Sequence, residues 1–172
     1  MIHNRKKHKK FVIKLKAGVV VRYRGRVLLI RERHNPTHPY RWNIIKGTFE
    51  PAKDPSIFHT AIREAHEEAH ARIQLRYFLG VYYLRDGNKS LTMLTFIADL
   101  LNSPRKTSKR KRQPPQKNGE DIIETRLFTK KELATLKPKD FVGTRGYLAV
   151  QDYLRGKRFP LKALTILPPK KK

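Results

Sequence analysis

The nine residues REAHEEAHA, Arg63 to Ala71, offer two chemistries to one segment. His66-Glu67-Glu68-Ala69-His70 has the form H-E-x-x-H, in which imidazoles one helical turn apart hold zinc and the intervening glutamate acts as a base. Glu64, Glu67 and Glu68 instead form a carboxylate group suited to a hard cation such as magnesium, with Arg63 placed to pair with Glu67 at i,i+4. The segment reads as a helix from Ser56, an N-cap candidate, to about His70. At about 100° of rotation per residue, Phe58, Ile62, Ala65 and Ala69 share the stripe expected to be buried. Glu64 and Glu68 lie on one border of that stripe, and His66 and His70 on the other, roughly 160° around the helix. The two sets point in different directions and do not serve one site together. A zinc metallopeptidase is further disfavoured by the charge of Glu68 inside the motif, and by ARIQLR, residues 71–76, where an extended motif needs a third histidine. Exposed polar residues on a helix flank account for both histidines.

Other elements must position this helix. AGVVVRY and RVLLIRE read as strands joined by a turn at Arg24-Gly25. HNPTHPYRW is a loop leading to WNII, a short strand that ends at Lys46-Gly47, and TFEPAKDPS is again loop, with Pro51 and Pro55. Beyond the helix, YFLGVYYLR and SLTMLTFIADL form a hairpin about Asp86-Gly87-Asn88-Lys89. DIIETRLF is a further strand, and FTKKELATL a short helix with a capping box from Thr129 to Glu132. A final helix runs from about Thr144 to Leu154 and stops at Gly156. Strands and helices in this mixed order, without an internal repeat, predict an α/β or α+β layered domain.

A chain of 172 residues has room for one domain with a proper core. Cysteine is absent, which removes disulfides and thiolate metal sites and suits a cytoplasmic setting, or a nuclear one in a eukaryote. No apolar run approaches the roughly 18 residues that span a bilayer, and Lys14 and Lys16 interrupt any signal-like core, so no membrane association is expected. The net charge is +26, but it is unevenly spread. Residues 1–16, 102–119 and 155–172 hold 21 of the 40 Lys and Arg and no acid, leaving a mildly basic body. The organisation expected is a basic tail over 1–15, a domain over 16–165 with a basic, disordered loop at 102–119, and a basic tail over 166–172. Such segments suit solvated tails or weak, salt-sensitive association with RNA, and Arg110-Lys111-Arg112 has the look of a nuclear localisation signal.

Gly47, the following loop, Arg63-Glu64 and Glu67-Glu68 together resemble the Nudix box, G-x5-E-x7-R-E-U-x-E-E-x-G-U, where U is a bulky aliphatic residue. RWNIIKGTFE resembles the strand that leads into the glycine in that family, DIIETRLFTKKEL its later strand and helix, and DYLRGKRFPL the C-terminal ending of some members. The loop from Gly47 to Arg63 is two residues longer than the pattern. Counted back from Arg63, the first glutamate falls on Pro55, with Asp54 beside it as a substitute. Ala65 stands for the bulky aliphatic, and His70 for the glycine, where a left-handed turn would cost His more than Gly.

The resemblance implies a Nudix-like α-β-α sandwich with a mixed central sheet, and a hydrolase that splits a diphosphate in a nucleoside diphosphate linked to another group. It implies Mg2+ or Mn2+ as cofactor, held by Glu64 and Glu68 with Glu67 as a further ligand or water contact, and Arg63 as their orienting partner. Main-chain oxygen of Lys46 or Gly47 would complete the set, and Asp121, or Glu120 beside it, would supply a ligand or base from a later strand. From the residues themselves, Tyr40, Trp42 and Tyr83, with Tyr82, are the aromatics that could stack on a base, although aromatics in and beside strands more often belong to the core. The alternative is a non-catalytic module of the same fold that binds RNA or nucleotides.

Overall fold

The computed structural model describes residues 11–33, 35–102 and 121–167. The expected basic loop and Glu120 therefore lie outside the described residues, as do most of both tails. Strand β1, Val12–Tyr23, starts at Val12 rather than Lys16, because its N-terminal half pairs in parallel with a later strand from Val12 onward. A two-residue turn at Arg24 (φ 46°) and Gly25 (φ 75°) leads into β2, Arg26–Arg33. Positive φ at both central positions matches the right-handed twist of the flanking strands.

The single strand expected at WNII is two strands. β3, Arg41–Asn43, pairs with β2; β4, Ile45–Thr48, pairs with β1 through Val19↔Ile45, Gly18↔Lys46, Ala17↔Gly47 and Lys16↔Thr48. The strand changes partner at Ile44 and carries Lys46 and Gly47 inside β4 rather than at its end, because β1 keeps them extended. Helix α1, Ile57–Ala69, follows. The hairpin β5, Ile73–Asp86, and β6, Lys89–Leu100, turns at Gly87-Asn88 as expected. β7, Asp121–Thr129, α2, Lys130–Thr135, α3, Thr144–Leu154, and the short β8, Phe159–Pro160, complete the described chain. The capping box is formed: Thr129 Oγ1 accepts from the Glu132 N–H, and the Glu132 carboxylate accepts from the Thr129 N–H.

The sheet runs β3-β2-β1-β6-β5-β8, with β4 on β1 and β7 on β2, and only β1 and β6 are parallel among its described pairs. α1 covers one face, over a core of Val19, Val21, Ile30, Ile45, Ala61, Ala65 and Phe96. α2 and α3 cover the other, over Val20, Leu29, Ile44, Met93, Leu133 and Val150. This is the α-β-α layering predicted, with alternate residues of β1 feeding opposite cores.

The buried face of α1 is rotated from the stripe expected. Ile57, Thr60, Ala61, Glu64, Ala65 and Glu68 are buried, whereas Ile62 is 44% exposed. The rotation has a cause in β4, which offers the glutamates a backbone N–H and a glycine with no side chain. Ser56 is the N-cap by backbone, but its hydroxyl bonds His59 Nδ1 instead of capping the helix. At the other end His70 takes the left-handed conformation (φ 49°, ψ 32°) and its N–H and that of Ala71 satisfy the carbonyls of His66 and Ala65. A glycine adopts this conformation without the Cβ clash. His70→Gly is expected to raise stability by about 0.5 to 1 kcal/mol, read as a higher urea midpoint with unchanged slope.

Candidate active site

Gly47 on β4 sits directly under the carboxylate of Glu64. A Cβ built on Gly47 would lie 1.7 Å from Glu64 Cδ and 1.8 Å from Oε1, so any side chain at 47 evicts the glutamate. One turn along α1, Glu68 Oε2 accepts the N–H of Lys46 at 3.1 Å. Glu64 and Glu68 are thus both pressed onto two consecutive residues of one strand, 5% and 4% exposed. Two carboxylates so close and so withdrawn from water repel each other, and this would be relieved by a hard cation.

Arg63 holds the arrangement. Its guanidinium donates through Nε and Nη2 to Asp54 at 2.9 Å each, through Nη2 to the Thr48 carbonyl at 3.2 Å, and through Nη1 to Glu67 at 2.8 Å. Nη1 also stands 2.8 Å from Glu64 Oε1. Asp54, only 2% exposed, further accepts from Thr60 Oγ1 and from the Glu50 N–H, which pins the loop before the helix. Asp54, the expected substitute for the missing box glutamate, is thus tied to Arg63, and Pro55 beside it is exposed. The Arg63 hydrogen bonds, more than burial resists, bring the Asp54 pKa down to about 2, and the same contact raises that of Arg63.

With its folded pKa below the unfolded value of 3.8, Asp54 contributes stability that is fully present above about pH 4 and is lost as pH falls through 2. That contribution is about 2 kcal/mol. Urea unfolding from pH 5 to pH 2 is expected to show this loss, and Asp54→Asn to flatten it.

A second buried pair was not foreseen from the sequence. Lys46 Nζ donates to Glu32 Oε1 at 2.8 Å, and Asn43 Nδ2 donates to the same oxygen at 2.7 Å. Glu32 is fully buried and Lys46 6% exposed. Together they fix β4 against β2 and hence the two residues on which the glutamates rest. The signal available was Lys46 beside the motif glycine, yet a lysine next to a turn reads as solvent-facing.

The remaining expected residues are differently placed. Glu67 lies at the rim, its side chain 45% exposed and paired with Arg63. Asp121 is held by Arg33 Nε and Nη2 (3.1 and 2.9 Å) and by the Tyr40 hydroxyl. Tyr40 has the Arg33 guanidinium 4.5 Å above its ring, and Trp42 packs edge-on against Phe128 with Arg31 over it. Beside them Arg33, His38, Pro39, Arg41 and Val142 line a pocket of about 230 Å³. Tyr83, 62% exposed, is on β5, four places from β3 in the sheet order, so it does not share a pocket with Tyr40 and Trp42. The Tyr82 hydroxyl is bonded to Asp152. His66 and His70 have ring centroids 6.1 Å apart. Among the described residues no three His, Asp or Glu side chains form a ready-made cage, so a cation here would take two carboxylates, main-chain oxygen and water. No helix among them is long and apolar enough to cross a membrane.

A mixed sheet lies between helical layers, with a glutamate-bearing helix clamped on a glycine strand. The chain belongs to the Nudix family: the NUDIX domain model matches residues 13–149. Among solved structures it is similar to a NUDIX hydrolase from Nitrosomonas europaea (TM-score 0.72, 21% identity, covering 91% of this chain and 99% of that one). It is also similar to a MutT NUDIX hydrolase from Burkholderia pseudomallei (0.59, 16%, 81% and 97%) and to an ADP-ribose pyrophosphatase from Streptococcus suis 89-1591 (0.58, 17%, 83% and 90%). Divalent cations are general to the family.

Proposed function

We propose that the protein is a pyrophosphohydrolase that cleaves the diphosphate of a nucleoside diphosphate linked to another group, with Mg2+ or Mn2+. The observation that carries this is the seating of Glu64 on Gly47 and of Glu68 on the Lys46 N–H, which gathers two buried carboxylates onto one short stretch of main chain. That donor set is all oxygen and fits a hard cation. When bound, the cation neutralises charge on the diphosphate and lowers the pKa of a coordinated water. Glu64 and Glu68 would hold it, with a carbonyl of Lys46 or Gly47. Arg63 fixes Glu64 and ties it to the Asp54 loop. Glu67, at the rim and paired with Arg63, is the further ligand or water contact. Water adds to one phosphorus, the bridging P–O bond breaks with the second phosphate as leaving group, and the water's proton passes to solvent. The name of the Streptococcus suis relative, an ADP-ribose pyrophosphatase, supports a substrate of this general kind.

The test is a panel of dinucleotides, nucleotide sugars, and capped and triphosphorylated RNA, assayed for product release with Mg2+. Wild type is expected to turn over at least one of them far faster than Glu68→Gln. Equal, slow release by both proteins from every candidate would overturn the reading in favour of a non-catalytic module.

A further inference from the structure

At the far end of β1 from the glutamates, the sheet ends in a cavity of about 490 Å³ that the diphosphate chemistry does not use. Arg22, Tyr23, Arg24, Asp99, Lys130 and Tyr153 line it. Arg22 is five residues beyond Ala17, the partner of Gly47, which puts the cavity roughly 16 Å along the strand from the catalytic glycine. Three cations face one carboxylate here. That carboxylate is already committed, since Asp99 accepts from Arg22 Nε and Nη2 (3.0 and 2.6 Å) and from Arg76 Nε (2.7 Å). Arg24 and Lys130 are exposed and have no acidic partner among the described residues, and the Arg24 guanidinium stands 5.3 Å from the Tyr23 ring centroid. The walls also carry two half-buried tyrosines from different layers, Tyr23 on the α1 side and Tyr153 from α3. Burial raises the pKa of Tyr153, so its phenol stays neutral.

Cations left without acids attract phosphate, and neutral aromatic walls accept a base by stacking. The two occur together in one concave space, whereas a merely solvated basic surface would leave its lysines and arginines spread over a convex face. We infer that this cavity is an accessory site for one nucleotide, taken from a single strand of RNA, separate from the catalytic helix and independent of its activity.

The experiment is fluorescence anisotropy of a labelled ten-residue oligouridylate with the full-length chain, metal-free, across a salt series. Arg24→Glu/Lys130→Glu is expected to weaken binding about 10-fold, against less than about 2-fold for the exposed control pair Lys139→Glu/Lys162→Glu, which changes charge equally. Tyr23→Leu, keeping apolar bulk, is expected to cost about 5- to 10-fold with an unaltered salt slope, as loss of stacking requires. Thermal melts of each variant establish that it is folded. Competition by uridine monophosphate would show that a free nucleotide suffices, and its failure that a strand is needed; both outcomes support the site. Equal weakening by the cavity and control pairs, or full affinity in Tyr23→Leu, would overturn it. Because binding is read without turnover, a failed substrate panel leaves this result standing.

Discussion

Glu68→Gln is expected to lower kcat at least ~100-fold, about 2.7 kcal/mol in transition-state stabilisation, while leaving the fold intact. The reason lies in what the amide keeps. Its carbonyl still accepts the Lys46 N–H that Glu68 accepts at 3.1 Å, so the helix stays docked on β4, but the negative charge proposed to hold the cation is gone. Glu64→Gln should behave alike, with a smaller margin of stability because Arg63 loses an ionic partner at 2.8 Å. Glu67→Gln, exposed and bound to Arg63, is expected to lose less than about 10-fold. Steady-state kinetics over a Mg2+ titration checks the order. Activity that tolerates Glu68→Gln better than Glu67→Gln would move the chemistry to the rim.

Arg63→Met is expected to destabilise the protein by about 3 to 5 kcal/mol. The guanidinium binds Asp54, Glu64 and Glu67 and the Thr48 carbonyl at once, and its removal leaves the Asp54 carboxylate buried with only Thr60 Oγ1 and the Glu50 N–H. Arg63→Met/Asp54→Asn should therefore recover a large part of the loss, because no buried charge is left behind. A double-mutant cycle by urea unfolding measures this. If the double variant is no more stable than the single one, the pair is not what ties the loop to the helix.

The fold was legible where local signals and burial agree. The hairpin at Gly87-Asn88, the Thr129 capping box and the end of α3 at Leu154 all rest on chemistry confined to a few residues. At the site, the Gly47-to-Glu68 spacing pointed to the family that the comparison with the NUDIX domain also shows. The left-handed turn expected at His70 is present. Periodicity alone misplaced the buried face of α1, because it scores glutamate as outward-facing and cannot see that a glycine strand has cleared space for Glu64. The pairing of the Lys46 side chain with Glu32 was missed for the same reason: a buried ion pair joins residues from separate strands, and neither local sequence announces the other. Trp42 and Tyr83 looked equivalent as aromatics near strands, and only the strand order separates them.

The one parallel pair in the described sheet also bears on how the molecule is made. Val12 pairs with Lys89 and Arg22 with Asp99, so β1 is made well before its parallel neighbour β6 arrives. β2 and β4, by contrast, are near β1 in sequence and can pair with it early. The glycine seat for Glu64 belongs to the near pairing of β1 with β4, whereas the closing of β1 onto β6 joins distant parts of the chain, the kind of contact that slows folding.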